Sequence, residues 1–230
     1  MSGVKTPVAF LLVLSAFCRI GRAQDFVNLD FESANQSGYS PGGNIPTSVA
    51  LPGWTAYYSN FGTNAQPQIW YDSLSLGGAF ISLTDANNHV GLTPLQGLYS
   101  VLLEGSTAGT PAAASIGQIG HIPQSALSLT FYLSLNSSLQ VTFGGQPISL
   151  VQMSSTPNYD VMGGDISAFA GQTGQLLFTA LPGTEVNAGY GLLDNIQFSS
   201  SAIPEPSEFA LGALGALLLG LRRWRKPFQL

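Results

Sequence analysis

Neither lysine nor arginine occurs between Ala23 and Leu221, although this stretch makes up most of the 230-residue chain. The basic residues lie near the two ends: Lys5, Arg19, Arg22, Arg222, Arg223, Arg225 and Lys226. A fold built from the stretch between them cannot form Lys or Arg ion pairs, so a carboxylate that leaves water needs hydrogen-bond donors or a bound cation. Nucleic acid is excluded as a partner, because binding it requires basic side chains that neutralise phosphates.

Apolar and polar residues alternate through residues 24–201, which favours strands with one buried face. The alternation is clearest in residues 127–135, where Leu and Phe interleave with Ser, Thr and Tyr, and it recurs in residues 99–104. Gly144 and Gly145 lie between two such runs and indicate a hairpin. The predicted strands are residues 25–32, 54–58, 68–71, 79–83, 99–104, 114–119, 127–135, 139–143, 148–151, 165–169, 175–181 and 191–199. Their even spacing predicts one all-β domain, an antiparallel β-sandwich of the jelly-roll type.

Residues 1–23 have the pattern of a secretory signal peptide, with Lys5 before an apolar run and small residues at 21 and 23. The apolar run, residues 8–17, spans about 15 Å as a helix and is too short for a membrane anchor. We therefore expect export through the inner membrane and cleavage by signal peptidase before Gln24.

Residues 202–230 combine three features in order: the triplet Pro204-Glu205-Pro206, an apolar stretch from Phe209 to Leu221, and a basic cluster. The apolar stretch would make about 20 Å of helix, which spans a bilayer only with help from its flanks. The positive-inside rule places the basic end in the cytoplasm. This combination resembles the PEP-CTERM sorting signal of bacterial exported proteins. The resemblance implies transient membrane anchoring, processing by an exosortase-type membrane enzyme, and arrival at the cell surface or extracellular matrix.

Three short motifs lie at the two ends of the domain: residues 28–32 (Asn-Leu-Asp-Phe-Glu), residues 52–54 (Pro-Gly-Trp) and residues 193–196 (Leu-Asp-Asn-Ile). Together they resemble the galactose-binding-like jelly rolls, a superfamily with many carbohydrate-binding modules. The resemblance implies a structural Ca²⁺ between the first and last strands, held by Glu32 and Asp194, with Asp30 on the same side as Glu32. Ca²⁺ prefers such hard oxygen ligands. The alternative is that Glu32 begins a solvated loop and that Asp194 makes a local turn hydrogen bond.

Aromatic residues suggest a carbohydrate site, because sugars bind by laying their C–H faces on exposed rings. Trp54, after Pro-Gly, is expected in the core, as most large rings are. Trp70 and Tyr71 are adjacent in a predicted strand and must face opposite ways, so one of them can contact a sugar.

Enzyme motifs are mostly absent from the sequence. His89 and His121 are expected in turns or at the surface rather than as catalytic bases. Asp160 and Asp165 could in principle form an acid–base pair for glycoside cleavage. We therefore predict a noncatalytic surface protein that associates with extracellular polysaccharide or the cell envelope. An exported hydrolase or lyase, and an adhesive protein without a sugar ligand, remain the alternatives.

Overall fold

The computed structural model describes residues 24–59, 64–87, 90–134, 139–183 and 190–203. These residues form two facing sheets, which confirms the predicted β-sandwich. The eight-stranded sheet runs, in spatial order, β1 (Asn44–Pro46), β4 (Gln68–Tyr71), β5 (Phe80–Asp85), β6 (Tyr99–Glu104), β14 (Tyr190–Ser199), β8 (Ser128–Ser134), β12 (Asp160–Asp165) and β11 (Leu150–Ser155). The six-stranded sheet runs β10 (Gln146–Ile148), β9 (Leu139–Phe143), β13 (Thr173–Ala180), β7 (Ala114–His121), β2 (Thr55–Tyr58) and β3 (Ala65–Gln66).

Strand pairing is antiparallel except between β4 and β5, which run parallel. Two short helical elements were not predicted: α1 (Thr47–Ala50) and a 3₁₀ helix (Ser167–Phe169). Both lie at connections between strands, so they leave the sandwich architecture unchanged.

The core lies between the sheets and is built from rows of side chains that cross the strands. One row of the six-stranded sheet joins Ala56, Ile116, Phe178 and Val141, all fully buried. Trp54 is 4% exposed and packs against Phe178, with ring centroids 6.1 Å apart, which confirms its predicted core position. Because burial of aromatic and aliphatic surface is the main driving force for folding, these rows account for a fold without disulfides.

Two predicted strands are wrong. Residues 25–32 form turns rather than a strand, and within them only Asp25 makes an isolated β-bridge, to His121. Asn28 and Phe31 have φ values of 51° and 59°, which extended strands do not adopt. Residues 165–169 do not form the predicted strand. β12 ends at Asp165, whose side chain accepts a hydrogen bond from the Ser167 N–H, and the 3₁₀ helix follows.

The described chain ends on the outer face of the eight-stranded sheet. Gly164 faces the core residue Ile148, so its neighbour Gly163 faces outward. A side chain added at Gly163 would collide with Ile203 and Met153. Ile203 therefore packs over β12 beside Met153, near the edge of that sheet.

The predicted signal peptide and most of the predicted sorting segment, including Pro204-Glu205-Pro206, lie outside the described residues, as does His89. Within the described ranges, no helix is long and apolar enough to cross a membrane.

Candidate functional site

The structure brings the three short motifs together around Asn28. The indole N–H of Trp54 donates a hydrogen bond to the Asn28 carbonyl at 2.9 Å, and the Asn28 side-chain amide donates to the carbonyl of Pro52 at 3.1 Å. The last strand joins them where the N–H of Ile196 donates to the carbonyl of Leu29 at 2.9 Å. Residues that are far apart in sequence therefore meet at one end of the sandwich.

Glu32 and Asp194 are both bound by the segment 95–100. The Glu32 Oε1 atom accepts hydrogen bonds from the N–H groups of Leu98, at 2.8 Å, and Tyr99, at 3.1 Å. Asp194 Oδ2 accepts from the Gln96 N–H at 3.0 Å and from the Ser100 hydroxyl at 2.7 Å. Their donors are neighbours in one short segment, and the charge of Glu32 acts on Asp194.

Asp194 is fully buried, and this burial raises the pKa of its carboxyl to about 6, although hydrogen bonds from Ser100, Asn195 and Gln96 partly oppose the shift. The nearby charge of Glu32 raises it further. An ionised Asp194 is thus stabilised by backbone and hydroxyl donors alone, since no lysine or arginine is available.

The backbone around the two carboxylates is strained. Asn28, Phe31 and Asn195 all have positive φ, between 46° and 59°, a conformation that favours glycine. Gly97 also has positive φ, and a side chain there would overlap the Glu32 carboxylate. Such strain clusters at ligand sites, where the surrounding structure maintains it. Alternation patterns carry no signal for it, and only the Asn and Gly residues of the motifs could have suggested it.

Asp30 does not join Glu32 as a strand neighbour. It lies in a turn, where its exposed side chain accepts a hydrogen bond from the Glu32 N–H at 3.3 Å. In the part of the chain that the structure describes, no cluster of three or more His, Cys, Asp or Glu side chains is arranged to hold a metal. A cation here would depend on two carboxylates and on backbone oxygens. The hard oxygens of Glu32 and Asp194 fit Ca²⁺ chemically.

Trp70 and Tyr71 face opposite sides of β4, as predicted. Tyr71 is 2% exposed and its hydroxyl donates to Asp85 Oδ2 at 2.5 Å, so it is not available to a ligand. Trp70 is half-buried and stacks on Phe80, with centroids 5.3 Å apart. Trp70 thus belongs to a small apolar cluster on the outer face of the eight-stranded sheet, around Phe80, Leu102 and Leu192.

Asp160 and Asp165 do not form an acid–base pair. They lie at opposite ends of β12, about 16 Å apart at 3.3 Å per residue, whereas paired glycosidase carboxylates lie about 5–9.5 Å apart. Hydrogen bonds from Ser167 lower the pKa of Asp165, the opposite of what a general acid needs. His121 is partly exposed, with Nδ1 3.9 Å from Asp25 Oδ1.

The strands of the six-stranded sheet contain no Asp, Glu, Lys or Arg, and we call the outer face of this sheet the uncharged face. Cross-strand pairing places Tyr57, Ser115, Thr179 and Gln140 in one outward row. A second outward row joins Thr55, Gly117, Leu177, Thr142 and Pro147. This face cannot be recognised from the sequence, because alternation shows which residues face outward but not which strands are neighbours.

At the centre of the uncharged face, the side chains of Leu177 and Gln175 lie over Gly117, which is buried. A Cβ atom there would approach Leu177 to 2.9 Å and the side-chain amide of Gln175 to 3.0 Å. The Gln175 amide donates a weak hydrogen bond to the hydroxyl of half-buried Tyr57, at 3.4 Å, and Ser115 and Thr179 share one at 2.9 Å. An aromatic ring, an aliphatic side chain, an amide and hydroxyls therefore lie side by side.

A second aromatic feature, which we call the tyrosine pair, lies on the eight-stranded sheet. Tyr132 and Tyr159 stack with ring centroids 4.2 Å apart and an interplanar angle of 16°. Both are half-buried, and a hydrogen bond with Tyr132 raises the pKa of Tyr159. The alternation in residues 127–135 placed Tyr132 on the polar side of its strand, but nothing in the sequence predicted its partner.

Comparison with known proteins found no matching family model and no matching curated protein. Among solved structures, the chain is similar to a family 61 carbohydrate-binding module in complex with β-1,4-galactotriose (13% identity, TM-score 0.41, covering 77% of this chain and 99% of that one). It is also similar to a family 11 carbohydrate-binding module from Clostridium thermocellum, in complex with a β-1,3-1,4-mixed-linked tetrasaccharide (10% identity, TM-score 0.36, covering 70% and 96%). The enzymatically active domain of tailspike protein 4 from bacteriophage CBA120 also matches (12% identity, TM-score 0.40, covering 77% and 21%).

Proposed function

We propose that this protein is an exported, noncatalytic β-sandwich that binds neutral extracellular polysaccharide through the uncharged face. The observation that carries the proposal is the outward row of Tyr57, Ser115, Thr179 and Gln140 beside the Leu177 and Gln175 side chains that cover Gly117. A sugar ring presents C–H groups, which pack on an aromatic ring, and hydroxyls, which pair with amides and hydroxyls. The row supplies both kinds of contact.

The charge distribution selects the class of polysaccharide. Uronic-acid and sulfated polymers carry negative charge, and the residues between Ala23 and Leu221 offer them no lysine or arginine. A like-charged polymer would be repelled by the acidic domain rather than attracted to it. Neutral glycans meet no such barrier at a face without charged residues.

The test is binding of the full chain, purified in mild detergent, to immobilised neutral and acidic glycans. We expect retention by neutral glycans only. Tyr57→Ala should weaken retention about tenfold through the lost ring contact, whereas Tyr57→Phe keeps the ring and most of the affinity. Leu76→Ser, at a fully exposed position on another loop, is the matched control and should bind normally. Equal retention of Tyr57→Ala and the parent chain would remove the uncharged face as the site.

The noncatalytic part of the proposal has its own readout. Incubation of the retained polysaccharide with the protein should leave its chain length and number of reducing ends unchanged. New reducing ends that disappear in an Asp194→Asn variant would instead favour the hydrolase alternative.

We also propose that Glu32 and Asp194 hold a structural Ca²⁺ together with nearby backbone carbonyls. The bound cation would neutralise two adjacent carboxylates and tie the segment 28–33 to the last strand. Its support is the proximity of the two carboxylates, the raised pKa of Asp194 and the strained backbone around them. Chelator should lower the thermal midpoint and Ca²⁺ should restore it, since a ligand that binds only the folded state stabilises it. An unchanged midpoint would refute the proposal.

Export and sorting are proposed from the two terminal segments, by signal peptidase before Gln24 and by an exosortase-type enzyme acting near Pro204-Glu205-Pro206. Replacement of this triplet should leave unprocessed precursor in the membrane fraction. Normal processing and surface arrival of that variant would defeat the sorting proposal.

A further inference from the structure

The tyrosine pair presents aromatic surface on the outer face of the eight-stranded sheet. Tyr132 lies in β8, and Tyr159 reaches it from the turn just before β12. Core residues fill the same strand on its other side, since Phe131 is fully buried and Leu133 is 8% exposed. The stack of half-buried rings therefore faces away from the core rather than into it.

Both carboxylates and uncharged polar groups lie around the tyrosine pair. Asp194, which is fully buried, is the cross-strand neighbour of Tyr132, and Asp160 follows Tyr159 in the chain. Thr130 and Gln197 are cross-strand neighbours on the same outward side, two residues along β8 from Tyr132. Gln197 is exposed, and its amide donates to Asn195 Oδ1 at 2.7 Å. Apart from the two carboxylates, the ring surface with its neighbouring amide and hydroxyl resembles the uncharged face around Tyr57.

The uncharged face and the tyrosine pair lie on opposite sides of the molecule. Facing sheets pack about 10 Å apart, and the side chains of the two outer faces project away from each other. One polysaccharide chain lying on one face cannot reach the other face without wrapping around the sandwich.

We propose that the tyrosine pair is a second binding site for neutral polysaccharide and that one molecule thereby cross-links two polysaccharide chains. This inference rests on the proposed function of the uncharged face. It adds a valency of two, which turns a binding protein into a cross-linker of the extracellular matrix without any new contact between protein molecules.

Titration calorimetry of the full chain with a short neutral oligosaccharide, such as cellotetraose or mannotetraose, measures the number of sites. Two sites per chain are expected for the parent, one for Tyr57→Ala, one for Tyr132→Ala and none for the double variant. Tyr132→Phe keeps the stacked ring and should retain both sites. Should Tyr132→Ala fail to fold, Tyr159→Ser removes the stack from a turn outside the sheet and gives the same readout.

Light scattering with soluble neutral polymers, hydroxyethyl cellulose and galactomannan, measures cross-linking. The parent chain should raise the scattering of the polymer several-fold. Each single variant should bind polymer but raise scattering only by the amount that the mass of the bound protein adds. Leu76→Ser should behave as the parent. A monomeric size without polymer separates cross-linking by two sites from cross-linking by a protein dimer.

The outcomes separate the two proposals. One site per chain, lost in Tyr57→Ala and unaffected by Tyr132→Ala, overturns the second site while the proposed function stands. Absence of binding to every neutral oligosaccharide and polymer overturns both.

Discussion

The two sheets of this sandwich differ in the number of carboxylates that their strands contain. The strands of the six-stranded sheet contain no Asp, Glu, Lys or Arg, and in the described residues every carboxylate lies in the eight-stranded sheet or in connecting segments. Four of those carboxylates are buried: Asp72, Asp85, Glu104 and Asp194. One sheet therefore offers a neutral surface, and the other concentrates negative charge.

The comparison teaches how a chain without basic side chains stabilises buried carboxylates. Asp194 accepts hydrogen bonds from two backbone N–H groups and one hydroxyl, and Asp85 accepts them from the backbone and side chain of Asn87 and from Tyr71. Backbone N–H groups and uncharged side chains, from strands as well as connecting segments, thus supply the donors that Lys and Arg supply elsewhere. The six-stranded sheet avoids the problem by having no carboxylates at all.

The largest expected effect comes from removing the best-bonded buried carboxylate. Asp194→Ala leaves the donors of Gln96, Ser100 and Asn195 without an acceptor, so it should lower the free energy of unfolding by about 3 kcal/mol. Urea unfolding in the presence of chelator measures it. Asp165→Ala, at an exposed carboxylate, is the control and should cost under about 1 kcal/mol.

If both variants lose the same stability, the distinction between buried and exposed carboxylates fails, and the donors around Asp194 contribute no more than a surface turn.

The pH dependence of stability gives a smaller effect with a definite sign. The pKa of Asp194 is about 6 in the folded chain, above its ordinary value of 3.8. Its contribution to stability is therefore fully present below about pH 4 and is lost as the pH rises through 6. In chelator, the parent should lose stability between about pH 4 and 6 relative to Asp194→Asn, as measured by urea midpoints. A constant difference between the two would show that Asp194 does not titrate in this range.

A still smaller effect is expected on the six-stranded sheet. Thr179→Val removes the hydroxyl that bonds to Ser115 on the half-exposed outer face and should cost only about 0.5–1 kcal/mol. Thermal or urea unfolding measures it. A loss as large as that of Asp194→Ala would mean that the neutral sheet depends on its polar groups as strongly as the acidic one does.

The smallest expected effect on stability concerns β11, an edge strand of the eight-stranded sheet. The other three edge strands have only two or three residues, and two of them contain a proline, Pro46 or Pro147, which has no N–H to offer. By contrast, β11 has six residues and no charge. Ser154→Lys should leave the unfolding midpoint unchanged and reduce self-association at high protein concentration, as measured by sedimentation. Unchanged association would show that the register shift between Gln152 and Ser154 already protects this edge.

Most strands could be predicted because their alternation reports burial directly, as at residues 99–104 and 139–143, where the observed bounds agree. The segment 25–32 misled the prediction because its apolar residues reach the core from turns rather than from a strand: Phe31, with positive φ, is fully buried, and Phe26 packs partly buried against the core. Proximity of Glu32 and Asp194 was expected from motif resemblance alone. The segment 95–100 that binds both could not be predicted, since backbone donors leave no mark on residue type.

Ile203, the last described residue, shows on which side the chain leaves the sandwich. The described chain leaves the sandwich from the outer side of the eight-stranded sheet, over Gly163, which is the side opposite the uncharged face. The layer that contains the strand carboxylates therefore lies on the side of the chain exit, and the neutral layer lies on the far side. Tyr132 and Tyr159 thus share a side of the molecule with the chain exit, whereas the Tyr57 surface lies on the opposite side.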